Sequence, residues 1–400
     1  MNATPSDNDA DDVTGVEAGI DAGIESGVDL TTVPTVDAFE PLAREHLSEM
    51  AFAYYVGGAG DERTLRANVA AWAEHEIWHR ALVDVSARST ATRLLGLELP
   101  VPLLVAPTAL HQLAHPDGEL ATIRACNTAG VPMVVSSIAS TRLEDICNEA
   151  TVPVLLQLYI GADRGFTREF LQRAETAGCA GIELTVDTPI WGTRHREAAT
   201  GFHLPDGVEV VNLRRSTSPE TSGSGGDTPP DTPAGGSIGE VLGWTISSDL
   251  TWADLEWLCS TTSLPVLPKG ICRPDDARRA VDAGARGIVV SNHGGRQLDG
   301  APPTARALPR VADAVGDRVP VIVDGGIRRG TDVLRALALG ASAVQVGRPV
   351  LWGLGTAGSA GVQRVLELIA TEFDQAMALS GCANVDDVTA DLLTGDHTSR

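Results

Sequence analysis

The sequence predicts a (β/α)8 barrel, and three observations lead there. Eight short β-rich runs recur at 102–106, 131–135, 152–156, 181–186, 264–267, 287–290, 319–323 and 341–346. They are largely continuous in apolar residues, as strands covered on both faces are. Amphipathic stretches such as 117–130, 164–178, 274–284 and 331–340 separate most of them, each closed by a glycine of the kind that ends a helix. No GxGxxG follows the first run, which counts against a nucleotide-binding open sheet. Alternating strand and helix units of this number favour closure into a barrel with parallel strands.

Along the chain, residues 1–35 read as a disordered acidic tail. The first 33 carry eight acidic residues and no basic one among many Gly, Ser, Thr and Ala, and such text cannot bury enough apolar surface to fold. The barrel domain is expected over 36–385. It opens on helical text, with Phe39, Leu42, Ala43, Leu47, Met50 and Ala51 on one face, and Gly57 and Gly58 end that helix with Tyr54 and Tyr55 in its last turn. After the fourth run a long connection contains a Ser/Gly/Pro-rich stretch, so 206–238 is expected to be a flexible insert, a lid at the catalytic end of the barrel or a passive linker. A last amphipathic helix turns Val362, Val365, Leu366, Ile369, Phe373 and Met377 inward and closes near Gly381; 386–400 form a C-terminal tail.

Composition narrows the function classes. A net charge of −23 repels nucleic acid and anionic membrane surfaces alike. No apolar run approaches the ~18 residues of a membrane span, and no basic-then-apolar leader is present. The six cysteines are scattered, with no CxxC pair and no His at metal-ligand spacing, so a reducing, cytoplasmic setting without a metal site is expected. One lysine, Lys269, stands in a chain whose other basic residues are all arginine.

Chemistry in such barrels sits at the C-terminal strand ends. In chain order these supply Pro107, Thr108 and Ala109, then Ser136, then Gln157 and Tyr159, then Thr185 and Asp187. Lys269 follows the fifth strand, and Ser291, His293 and Arg296 the sixth; Asp324, Gly325, Gly326 and Arg328 follow the seventh, Gly347 and Arg348 the eighth. Glycines with Arg328 and Arg348, beside a helix starting near Gly330, suit a phosphate group. Ser136, Gln157, Thr185 and Lys269 suit the edge of a polar heteroaromatic ring that gains negative charge on reduction. Flavin mononucleotide (FMN) meets both demands, and pyridoxal phosphate, held through Lys269 as a Schiff base, is the rival. His293 and Arg296 share a glycine turn, the first able to take a proton and the second to grip an anion.

Residues 291–299 (SNHGGRQLD), with LTVDTP at 184–189, APTA at 106–109, QLY at 157–159, DGG at 324–326 and ALSGC at 378–382, resemble the FMN-dependent α-hydroxy-acid oxidase and dehydrogenase family, that of glycolate oxidase and lactate oxidase. The likeness spans roughly 36–385 apart from the insert. It implies FMN as cofactor and oxidation of an (S)-2-hydroxy acid to the 2-oxo acid, with O2 as acceptor giving hydrogen peroxide. The alternatives are a soluble 2-hydroxy-acid dehydrogenase using another acceptor and a lactate 2-monooxygenase-like reaction; an FMN-dependent diphosphate isomerase is the different class. The resemblance makes His293 the base acting on the C2 hydroxyl or C2 itself, with Asp187 orienting it and favouring its imidazolium. Arg296 and Arg194 clamp the substrate carboxylate with Tyr54, Tyr159 bonds near the hydroxyl, and Lys269 sits by flavin N1 and O2. A homotetramer is implied. Two departures bear on the pocket: Ile138 stands where plant oxidases carry tryptophan, and Thr193 stands where arginine is common, which leaves Arg194 as the clamp with Arg196 close by.

Overall fold

The computed structural model describes residues 27–213 and 247–393 of the 400-residue chain. A hairpin of β1 (Thr92–Leu94) and β2 (Leu97–Leu99) precedes eight parallel strands, β3 (Leu103–Val105), β4 (Met133–Val135), β5 (Val154–Leu158), β6 (Gly181–Thr185), β7 (Val266–Ile271), β8 (Ile288–Val290), β9 (Val321–Val323) and β10 (Ala343–Val346). The eight close into a barrel in chain order, with β10 paired to β3. Each overlaps one of the apolar runs in the sequence, but β7 starts two residues late and runs on to Ile271, so Lys269, expected after the fifth strand, lies within it, paired with Thr185.

Alternation along these strands makes two cores. Residues pointing outward, such as Val105, Leu156, Ile182, Val290 and Val344, join the helices in one continuous cluster. Inward, Leu104, Leu267, Val289, Ile322 and Ala343 meet Leu94 and Leu99 of the hairpin, which plugs the N-terminal end of the barrel. That hairpin escapes sequence reading because its two-residue turn is Leu95 (φ 52) and Gly96 (φ 82). Left-handed conformations at both positions usually call for Asn-Gly or Asp-Gly, and a leucine there gives no signal.

Helices cover the outside, and left-handed glycines such as Gly130 and Gly381 end two of them. The N-terminal helix expected as one piece is two, α1 (Phe39–His46) and α2 (Glu49–Val56), because Leu47 is extended and Ser48 caps the second by accepting from Ala51 N at 3.2 Å. Tyr54 and Tyr55 occupy the last turn of α2 and are buried. After α3 (Arg63–Ala73), the chain reaches α4 (Gly118–Ala129), α5 (Leu143–Glu149), α6 (Arg164–Thr176), α7 (His195–Ala199), α8 (Trp252–Thr261), α9 (Pro274–Asp282), α10 (Thr304–Val315) and α11 (Gly330–Ala338). The last, α12 (Arg348–Ser380), breaks at Ala357 and Gly358, and its inward residues from Val362 to Met377 are fully buried.

Packing extends past the sequence-read boundaries at both ends. Leu30 and Val33 are buried ahead of Val36, and at the other end Val388 and Leu392 are buried, with Trp78 N donating to Leu392 O at 2.7 Å. Isolated apolar residues in acidic text dock where the pattern suggested tail. Within the expected insert, Val210 and Asn212 are also buried, and Asn212 Oδ1 accepts from Leu143 N at 2.9 Å. The rest of it, from 214, and residues 1–26 of the acidic tail lie outside the described residues. Among the described residues no helix is long and apolar enough to cross a membrane.

Candidate active site

The C-terminal ends of all eight barrel strands open onto one cleft, the place where barrels of this kind carry their chemistry. Pro107, Thr108, Ala109, Ser136, Gln157, Tyr159, Thr185 and Lys269 line it, with Tyr54 and Arg194 from the loops and helices above. His293, Arg296, Asp324, Gly325, Gly326, Arg328, Gly347 and Arg348 line it as well. Two expected residues stand one layer behind, Asp187 against His293 and Ser291 beneath Lys269.

His293 follows β8 in the left-handed conformation, at φ 58, a region histidine enters more readily than bulky or branched residues. Its backbone N donates to Ser291 Oγ at 3.0 Å and its Nδ1 lies 2.9 Å from Asp187 Oδ1. Burial alone would raise the Asp187 pKa, but His293, Lys269 and the hydroxyl of Thr188 together hold it below the ordinary carboxylate value. For His293, burial lowers the proton affinity and outweighs the field of Asp187. Asp187 does favour the imidazolium, as expected, but burial disfavours it more, so the resting pair is a carboxylate with a neutral imidazole. Nδ1–H donates to Asp187, and the Nε2 lone pair is left for the cleft.

Two guanidinium groups face this imidazole. Arg194 is buried, with its Cζ 3.8 Å from the centre of the Trp191 ring. It donates from Nη1 to Glu197 at 3.3 Å, while Nη2 is buried without a partner. Burial and then the neighbouring Arg296 pull its proton affinity down to about 10, as happens to a buried cation short of countercharge. Arg296 is fixed by its own bonds, Nη1 donating to Tyr54 O at 2.7 Å and Gly57 O at 2.9 Å. The Tyr54 ring stacks on Phe202 at 4.6 Å between centroids. Burial raises the pKa of Tyr54 and of Tyr159, so both phenols keep their protons as donors. Arg196, the neighbour in sequence, turns away to pair with Glu62 at 2.6 Å.

The opposite side is built for a different group. Ser136 Oγ and Ser137 N donate to Gln157 Oε1, and Gln157 Nε2 donates to Thr185 Oγ1 at 3.0 Å, a chain that fixes the amide across three strand ends. Lys269 Nζ pairs with Asp324 and donates to Ser291 Oγ at 2.8 Å. Burial works against its charge, but the acidic side chains around it, Asp324 first, more than restore it. Gly326 is obligatory, because a Cβ there would fall 2.1 Å from Asn68 O. Arg328 lies over the Trp352 ring at 4.7 Å. Arg348 borders the cleft while bonding to Tyr55 O, Gly294 O and Gly57 O, so it also straps α2 to the loop after β8.

That loop is held by almost every residue of its motif. Asn292 exchanges two 2.8 Å bonds with Asn68 on α3. Gly295 packs against the Leu65 backbone so closely that a Cβ would lie 2.6 Å from Leu65 N. Gln297 bridges to the loop after β6, donating to Asp187 O at 3.1 Å and Ile190 O at 3.0 Å. Asp299 accepts from Asp61 N and Thr64 N, and so caps α3 from outside its own sequence. We expect Asp299→Ala to destabilise the protein by about 1 kcal/mol, the usual cost of a lost cap, seen as a lower thermal midpoint; an unchanged midpoint would remove this capping role.

Residues 43–395 match the family model described as FMN-dependent dehydrogenase. The chain belongs to this family. Among its relatives, an L-lactate oxidase of Nostoc sp. is 47% identical over 359 residues, covering 89% of this chain and 96% of the relative. The 2-hydroxyacid oxidase 1 of Homo sapiens is 44% identical, covering 88% and 93%. A crystal structure of mandelate oxidase superposes with a TM-score of 0.81 at 41% identity, covering 89% of this chain and 97% of that one.

FMN is the cofactor of this FMN-dependent dehydrogenase, and the residues present fit it. Asp324 Oδ1, on the residue that pairs with Lys269, is buried with no protein partner, the condition of a polar atom that awaits a bound group. Lys269 retains a third donor beyond the two it uses, at the cleft wall where Ser136, Gln157 and Thr185 present fixed polar edges. The pyridoxal alternative does not suit a lysine whose ammonium is already tied to Asp324 and Ser291 and held charged. Sequence reading missed several lining residues, among them Tyr55, Trp191, Gln345 and Leu351. Gln345 carried a usable signal, a long polar side chain inside an apolar strand; Leu351 and Tyr55 carried none beyond position.

Proposed function

We propose that the protein oxidises (S)-2-hydroxy acids to 2-oxo acids and passes the electrons to O2, giving hydrogen peroxide. The observation that carries this is the meeting, in one cleft, of a neutral imidazole held by Asp187 and a buried guanidinium with an unpartnered donor. Such a pair fits a substrate with a carboxylate beside the carbon or hydroxyl that loses a proton. The relatives' names, L-lactate oxidase and 2-hydroxyacid oxidase 1, support oxygen as the acceptor.

In this reading Arg194 and Arg296 take the carboxylate. Tyr54 and Tyr159 donate to substrate oxygens from phenols that burial keeps protonated. His293 accepts the proton at Nε2, and Asp187 holds the ring in the tautomer that presents this atom and stabilises the charge it acquires. FMN supplies, when bound, a two-electron acceptor. Lys269, positioned by Ser291 and Asp324, offers a fixed cation to the ring edge, with Ser136, Gln157 and Thr185 as its polar neighbours. Pro107, Thr108 and Ala109 border the ring, and Gly325, Gly326, Arg328, Gly347 and Arg348 hold the phosphate. A homotetramer is supported by the exposed apolar side chains Trp78, Leu82, Val83 and Leu379, and a cytoplasmic setting by six free cysteines.

Anaerobic mixing with a panel of 2-hydroxy acids is expected to bleach the flavin bands with S enantiomers, and admitting O2 to restore them with one peroxide per turnover. No bleaching by any acid sinks the oxidation reading. Bleaching without peroxide in air would leave a monooxygenase if O2 is consumed, and a dehydrogenase if it is not.

A further inference from the structure

At the floor of the cleft, one polar contact crosses the barrel from side to side. Gln345 on β10 donates from Nε2 to Glu183 Oε1 on β6, and these two strands stand opposite each other in the ring of eight. Glu183 is 0% exposed and Gln345 1%. The apolar layer of Leu104, Leu267, Val289, Ile322 and Ala343 occupies the same interior toward the hairpin. Toward the cleft, Thr185 follows two residues on along β6, and it pairs in register with Lys269 on β7.

Two atoms of this contact have no partner, Glu183 Oε2 and Gln345 Oε1. With the carboxyl ionised both are acceptors, and neither can satisfy the other. A single proton on Oε2 turns it into a donor, able to close a reciprocal acid–amide pair with the Gln345 oxygen and leave nothing buried unpaired. The charged groups that act on Glu183 are Lys269 on β7 and Asp324 after β9, and they oppose each other. They are also paired together, so the Lys269 charge already has its carboxylate. Burial pushes Glu183 up from 4.5 to about 7.

We propose that Glu183 is a protonated carboxylic acid locked to Gln345, and that it is a positioning residue whose neutrality leaves the field of Lys269 to the flavin edge above. The proposal rests on the FMN site described above. Ionising Glu183 would add a further negative charge to those of Asp324 and Asp187 near Lys269, weaken that field, and disfavour the negative charge that the ring gains on reduction.

Infrared spectroscopy of the holoenzyme reads the proton directly. Well below pH 7, the buried group's proton affinity, the wild type is expected to show a neutral-carboxyl C=O band that Glu183→Gln abolishes and Gln345→Met shifts. The flavin midpoint potential of Glu183→Gln should match the wild type on that acid side. It should exceed the wild type above pH 7, where Glu183 ionises. Stability follows the same sign: the folded state binds a proton that the unfolded chain releases above 4.5, so the wild type loses stability as pH rises from 4.5 to about 7. The thermal midpoint of Glu183→Gln should therefore gain on the wild type across that window. Absence of the neutral-carboxyl band, or a potential offset equal on both sides of pH 7, overturns the proposal. If Glu183→Gln does not fold, the pH titration of the wild-type band and its shift in Gln345→Met decide alone. The band reports the Glu183 proton whether or not any hydroxy acid reduces the flavin, so its failure is distinct from failure of the oxidation reading.

Discussion

Replacing His293 by asparagine is expected to slow flavin reduction by about three orders of magnitude, within the 10²–10⁴ range for loss of a positioned base, while FMN stays bound. Asparagine is the informative choice because position 293 has φ 58, a conformation that asparagine accepts and branched residues do not. A loss of rate then reflects the missing imidazole and not a refolded loop. The pH profile supplies a second reading. The base works unprotonated, and burial sets its pKa below the ordinary 6.5. The wild-type reduction rate should hold across neutral pH and fall only when acid brings the pH through that lowered value. His293→Asn should lack this limb. Stopped-flow reduction across pH measures both, and a near-normal rate in the variant would take His293 out of the mechanism.

Arg194→Met should act on substrate binding. Its guanidinium has one buried donor unpartnered and a proton affinity lowered to about 10, so an arriving carboxylate relieves a strain already present. A hydrogen bond to a charged group contributes roughly 1.5–3 kcal/mol, so KM is expected to rise about ten- to 150-fold, with a smaller change in kcat. Methionine keeps an apolar stem against Trp191. FMN content should not change, because in this reading Arg194 holds the substrate carboxylate and none of the residues assigned to FMN. Unchanged KM with intact flavin would mean that Arg296 holds the carboxylate alone.

Much of this architecture is legible in the residues. The eight barrel strands announce themselves because each is buried on both faces, which leaves largely apolar runs that few other elements produce. The hairpin plug is hidden for the converse reason: its turn runs through Leu95, and its tertiary burial overrides a local sequence with no turn chemistry. The break between α1 and α2 at Leu47 and Ser48 was equally invisible, since both halves keep helical spacing. In the cleft, residue types gave the inventory, and the structure brings Tyr54, Arg194, His293 and Arg296 into one wall. Net electrostatics lay beyond the sequence. Whether Asp187 or burial governs His293 depends on how much water the fold excludes, and no spacing encodes that. Glu183 was written in the text as a charge within an apolar strand, but its partner comes from the far side of the barrel, 162 residues away.

The loop after β8 has one more consequence. Asn292, Gly295, Gln297 and Asp299 are fastened to α3 and to the loop after β6, so they act as a latch that shapes the mouth of the barrel, and only the side chains of His293 and Arg296 reach the cleft. A descendant that lost the imidazole but kept the latch would assemble the same mouth. The string of letters therefore certifies a shape, and a single ring within it certifies the chemistry.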